Sequence, residues 1–162
     1  MRALYLWPNN TLGGVQTIMR DCAVGLTARG HEVTVFFYDD PPPVDPFSGV
    51  CRVVYQRDRH LAAFLLREQF DVIHIHSPLV YLRSLRHLER SRTSASVLVS
   101  WHGEVANLGL TSLRPLPDRM TAVAGPVAEQ VRRLTGAQVT VVLNGLDPTV
   151  FCPDREIGRA HV

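Results

Sequence analysis

Short apolar runs recur along this chain with amphipathic stretches between them, and that alternation limits what it can fold into more than any other feature. The runs cover Ala3 to Trp7, Glu32 to Tyr38, Val50 to Tyr55, Val72 to His76, Ser96 to Trp101, Thr121 to Ala124 and Val139 to Leu143. Each is strand-length and rich in β-branched or aromatic residues. The clearest helical stretch spans residues 15–28, where Val15, Ile18, Met19, Cys22 and Leu26 recur at spacings of three and four. Such spacing lines one helix face. Gly30 follows where helices commonly end in a left-handed residue. Strands alternating with helices predict right-handed crossovers and a parallel sheet covered by helices, a doubly wound α/β fold of Rossmann-like type. In such sheets ligands gather at the carboxyl ends of the strands, so the residues just after each strand carry the functional question.

The chain is 162 residues long, with 46% hydrophobic and 20% charged residues, enough for one hydrophobic core and one domain. A net charge of +2 supplies no general basic field, which argues against nucleic acid as a partner. Cys22, Cys51 and Cys152 are odd in number and widely spaced, fitting neither a disulfide framework nor a metal-binding pair. A reduced compartment follows. The first apolar run ends at Pro8-Asn9-Asn10, too short to span a membrane and without a signal-peptide cleavage site, so it reads as the first strand of a cytoplasmic protein. Asp39-Asp40-Pro41-Pro42-Pro43 reads as a stiff polar loop, and no internal repeat is present.

Four constellations sit where chemistry is expected. Trp7 to Gly14 joins strand to helix, and Gly13 and Gly14 let backbone approach a ligand at a helix N-terminus suited to phosphate. A plain tight turn is the alternative. Asp71-Val72-Ile73-His74-Ile75-His76-Ser77 puts two histidines on one face of a strand. They are either metal ligands lacking a third partner, or one buried hydrogen-bonded histidine and one facing the cleft. Val99-Ser100-Trp101-His102-Gly103-Glu104 delivers another histidine to the carboxyl edge, and His102 is the first candidate for general base or for hydrogen-bond donor to a sugar hydroxyl or phosphate. Val141 to Asp147 is a strand entering an Asn144-Gly145 turn.

In this order, these pieces resemble the N-terminal domain of family 4 glycosyltransferases, which have the two-domain GT-B fold. The Gly13-Gly14 loop, Arg29-Gly30-His31-Glu32-Val33, Asp71 to His76, Trp101-His102-Gly103, and Val142 to Asp147 through Phe151-Cys152-Pro153 carry the likeness. It implies a cleft enzyme whose acceptor-side half this is, transferring a sugar with retention of anomeric configuration and without a cofactor or obligatory metal. Gly13 and Gly14 would lie against the diphosphate of a nucleotide-sugar donor. His102 would be the catalytic residue beside the transferred sugar. Gln16, His76 and Glu104 would form the acceptor pocket, and Asn144 would mark the interdomain edge. Two positions depart from the pattern: Gln16 stands where a glutamate is common, and Ala124 stands where a serine usually caps the helix that Gly125-Pro126 begins.

The resemblance covers residues 1–153. Ile157-Gly158-Arg159-Ala160-His161-Val162, together with Glu156, resembles one reading frame of a sequencing adapter, so the tail of residues 154–162 is expected to lie outside the domain, with the donor-binding domain absent. The implied partners are a nucleotide sugar and a glycan, lipid-linked or small-molecule acceptor. Arg83, Arg86, Arg90 and Arg92 line a helix with only Glu89 opposing them, either a solvated face or a contact with the anionic inner face of a membrane. Another GT-B enzyme, such as a nucleotide-sugar epimerase, and a non-catalytic Rossmann-like sugar- or partner-binding module remain as alternatives.

Overall fold

Each apolar run becomes a strand of one parallel sheet. The computed structural model describes residues 1–8, 13–43, 45–103 and 105–145. Its elements are β1 (Arg2–Trp7), α1 (Gly14–Thr27), β2 (Glu32–Phe37), β3 (Arg52–Tyr55), α2 (Leu61–Arg67), β4 (Val72–Ile75), α3 (Pro78–Ser91), β5 (Ser96–Trp101), β6 (Arg119–Ala122), α4 (Gly125–Thr135) and β7 (Thr140–Val141). The strand order is β3-β2-β1-β4-β5-β6-β7 and every pairing is parallel, as the alternation predicts.

This order places the helices. The chain steps from β1 outward to β2 and β3, then returns to β4 and runs the other way, so right-handed crossovers put the two sets on opposite faces. One cluster joins Ala3, Tyr5, Val35 and Phe37 to Met19 of α1 and to Phe47 of the β2–β3 connection. The larger cluster joins Leu4, Ile73, Val99 and Trp101 to α2, α3 and α4 through Phe64, Val80 and Val131. Among the described residues, no helix covers the α1 side of β4, β5 and β6, and no helix is long and apolar enough to cross a membrane.

Some boundaries differ from the sequence expectation, each for a local reason. The stripe of α1 is rotated so that Gln16, Met19 and Ala23 are buried and Cys22 is exposed, because the helix has apolar partners only on the β1–β2 side. β3 begins at Arg52 rather than Val50, because residues 46–50 form turns, held by the Asp45 carboxylate accepting from the Phe47 N–H and by Gly49 at a φ of +73°. β6 begins at Arg119, two residues early, since only Met120 and Ala122 face the helices and its other face can be polar. β7 is short, and Val142 and Leu143 beyond it are exposed. Gly30 has the left-handed φ expected of it, and Ala124 caps α4 with no side-chain hydrogen bond, as the missing serine predicts.

On α3, Ser77 accepts from the Leu79 N–H and Pro78 occupies the first turn. Arg83, Arg86, Arg90 and Arg92 are all exposed. Glu89 is not the only opposing charge: Arg83 donates to Asp58 at 2.8 Å from the turn before α2.

Candidate active site at the carboxyl edge of the sheet

The edge is organised by the alternation of side chains along β4 and β5. Ile73 and Ile75 of β4, and Val99 and Trp101 of β5, point into the large core. The intervening residues must therefore face the other way, which turns His74, His76, Ser100 and His102 to the α1 side. Trp101 is fully buried and fixes this register at the strand end. The three histidines stack in a row, with ring centroids 3.9 Å apart for His74 and His76 and 5.3 Å apart for His76 and His102. Tyr5 of β1 meets the first two edge-on.

Two hydrogen-bonded sets run through this row. The His74 Nε2 pairs with the Ser100 hydroxyl at 2.7 Å, and Ser100 pairs with the Thr121 hydroxyl at 2.6 Å, a polar ladder across three strands. The His76 Nδ1 pairs with the His102 Nε2 at 3.2 Å. The remaining ring nitrogens of that pair, His76 Nε2 and His102 Nδ1, are buried without a partner. An unmet buried polar atom costs about 1–3 kcal/mol, so such atoms concentrate where a ligand can supply what is missing.

The sequence left open whether His74 and His76 were metal ligands or one buried and one cleft-facing histidine. His74 is half-buried and hydrogen-bonded, while His76 is only 2% exposed. His76 thus reaches the edge through the half-buried His102 rather than on its own. No group of three or more His, Cys, Asp or Glu among the described residues is placed to hold a metal ion. Ser100 and Thr121 were not singled out by sequence, although their positions in alternation with Trp101 and Met120 carried the signal.

Gly13 and Gly14 begin α1. Gly13 is extended, no side chain caps the helix, and its first turn holds no acidic residue. A Cβ on Gly13 would lie 3.0 Å from the Gln16 Oε1, so the buried Gln16 packs close against Gly13. A Cβ on Gly14 would meet nothing within 4 Å. Asn144 is exposed after β7, and Glu104 lies outside the described residues, as do 146–162 with Cys152 and the 153/154 boundary. A hollow of about 830 Å³ lies beside the row, between α1 and the open sheet face, with Ile18, Cys22, Leu26, Arg29 and His74 in its lining.

A family model described as Glycosyltransferase Family 4 matches residues 12–150. The chain belongs to that family. No curated protein matches it in sequence. Among solved structures, this family 4 chain is similar to the apo form of the lipopolysaccharide outer core galactosyltransferase WaaB, with a TM-score of 0.73 and 13% identity over 91% of the chain and 46% of WaaB. It is similar to HepE of Anabaena in complex with UDP-glucose, with a TM-score of 0.71 and 11% identity over 93% of the chain and 46% of HepE. It also resembles a sucrose-phosphate synthase structure from Thermosynechococcus elongatus, with a TM-score of 0.62, 14% identity and 93% coverage of both chains. At these identities the likeness establishes the fold, a Rossmann-like domain of GT-B type. The chain spans about half the length of WaaB and HepE.

Burial sets the protonation of the row. It favours neutral imidazoles, holding His74 down at about 4 against an ordinary 6.5, helped by the charge of His102; His76 lies well below its ordinary value and His102 below its own. In the unfolded chain these rings take up protons below about 6.5, so the unfolded state binds more protons as pH falls towards 4. Their stabilising contribution is complete above about 6.5 and is lost between there and about 4. The urea midpoint is expected to be lower at about pH 5 than at about pH 7.5, a window above the carboxylate titrations. Equal midpoints would contradict the buried neutral row.

Proposed function

We propose that this chain is the acceptor-side half of a two-domain glycosyltransferase that moves a sugar from a nucleotide-sugar donor to a glycan, lipid-linked or small-molecule acceptor, with retention of anomeric configuration. The observation that carries this reading is the family match over residues 12–150, inside which every candidate residue falls. WaaB is named as a galactosyltransferase and HepE is complexed with UDP-glucose, which supports a sugar-nucleotide chemistry for the fold.

In this proposal the donor diphosphate lies at the start of α1. A helix N-terminus carries roughly half a positive charge and unfilled N–H groups, and among the described residues neither a capping side chain nor a first-turn acidic residue competes for them. Among the described residues nothing requires Gly14 to lack a side chain, and the space there is open to a partner from outside. The diphosphate charge is met by backbone N–H groups rather than by an obligatory metal. His102 faces the transferred sugar, Gln16 and Glu104 contribute to the acceptor side, and Asn144 marks the boundary towards the donor-binding half.

The reaction is placed in the cytoplasm, at the inner membrane face when the acceptor is lipid-linked, with Arg83, Arg86 and Arg90 meeting anionic headgroups. Co-sedimentation with phosphatidylserine vesicles is expected to fall with added salt and in the combined Arg83→Gln, Arg86→Gln, Arg90→Gln variant; binding indifferent to both would remove the membrane contact. For the transfer itself, the protein expressed from its whole reading frame is incubated with a panel of labelled nucleotide sugars and acceptor extracts. One donor is expected to yield a labelled acceptor, and His102→Ala is expected to lower kcat about 10²–10³-fold, as removal of a single preorganised donor does elsewhere. Undiminished turnover in that variant would displace His102, and no transfer from any nucleotide sugar would overturn the class.

A further inference from the structure

The apolar stripe of α1 is wider than the surface that β1 and β2 offer it. Met19 and Ala23 take the contact with that surface, which leaves Ile18 and Cys22 on the flank towards β4. With Gly25 and Arg29 they fall at steps of four, three and four, one line along the helix, and all four border the hollow between α1 and the open sheet face. At helical rise that line is about 16 Å long. It descends from the carboxyl-edge end of α1 to the turn before β2, where Arg29 stands. A hollow of about 830 Å³ with this apolar wall has the size and character of a small-molecule site.

Two polar groups of the lining lack a counterpart. Arg29 donates to the Gly25 carbonyl at 2.7 Å, and a Cβ on Gly25 would lie 3.3 Å from the Arg29 Nη1, so the glycine lets the guanidinium settle against the helix. The acidic residue of the lining, Asp21, pairs with Arg20 at 3.9 Å, and His74 is neutral, which leaves the charge of Arg29 unmatched. The Tyr5 hydroxyl, on a residue only 2% exposed, has no hydrogen-bond partner among the described residues, and burial keeps it protonated as a donor. An apolar trough with a lone cation at one end and a hydroxyl donor in its wall suits a molecule with an apolar chain, an anionic head and an oxygen between them. From this geometry we infer that the hollow binds a single-chain anionic lipid, with its head on Arg29, its ester oxygen on Tyr5 and its chain along Cys22 and Ile18. The site goes beyond the transferase reading and does not rest on it, because the head lies at the turn before β2, at the opposite edge of the sheet from His102.

Cys22 is exposed and borders the hollow, so its alkylation by N-ethylmaleimide, read by peptide mass mapping of the whole 162-residue chain, reports occupancy. Lauroyl lysophosphatidate, below its micelle concentration, is expected to slow Cys22 saturably and to leave Cys51, outside the lining, unchanged. Monolaurin has the same chain and ester without the charge, and is expected to bind about tenfold more weakly, the worth of one charged hydrogen bond. Glycerol phosphate, a head without a chain, is expected to give no protection. Arg29→Gln, at an exposed position, is expected to bring lysophosphatidate down to the level of monolaurin and to leave monolaurin as it was. No protection by lysophosphatidate, equal protection of Cys51, equal affinity for the two lipids, or an unaffected Arg29→Gln each overturns the inference. So does a Cys22 that resists alkylation without lipid, since a further segment or a second copy would then already cover the hollow. Comparing the ligands needs no variant. None of these outcomes bears on sugar transfer, so the two readings fail separately.

Discussion

Successive residues of a strand face opposite ways, and at the carboxyl edge of this sheet everything depends on which of them the core claims. Trp101 and Ile75 are buried against α2, α3 and α4, and their burial dictates that His102 and His76 turn to the opposite side. A slip of one residue in either strand would send a histidine into the apolar core and a tryptophan or isoleucine to the edge. The row is thus held by hydrophobic packing on the far face of the sheet, at a distance from the polar groups it positions.

The topology adds the second condition. Because the chain moves outward to β2 and β3 before returning to β4, α1 is the only helix among the described residues that stands on the histidine side of the sheet. The polar row can lie on that side without a helix pressing on it, and its groups satisfy one another through His74, Ser100 and Thr121 where they are most buried. Within the histidine row, the two buried nitrogens left without partners belong to the pair nearest the edge. Unmet polar groups at the carboxyl edge of a parallel sheet mark the place where ligands of such folds gather.

Much of this was legible in the sequence. Periodicity gave the parallel α/β class, and the placing of His74, His76 and His102 followed from strand alternation. The ordered landmarks from Gly13 to Asn144 led to the family that the match over residues 12–150 establishes. Harder to read was what depends on contacts between distant segments. Cys22 looks like part of the buried stripe of α1 until the position of β1 and β2 decides which way the helix faces. Asp58 is 25 residues from Arg83 and no helical spacing announces their ion pair. That His76 is interior and His102 its outlet comes from the meeting of two strand ends, which no single motif encodes.

The most direct test of the central claim, that this edge is where the sugar nucleotide is met, is amide and imidazole chemical-shift mapping of the chain titrated with nucleoside diphosphate sugars. The account predicts shifts at Gly13, Gly14 and His102, with Ile18, Cys22 and Leu26 of the hollow beside α1 unmoved. Shifts confined to that hollow, with Gly13, Gly14 and His102 silent, would contradict it.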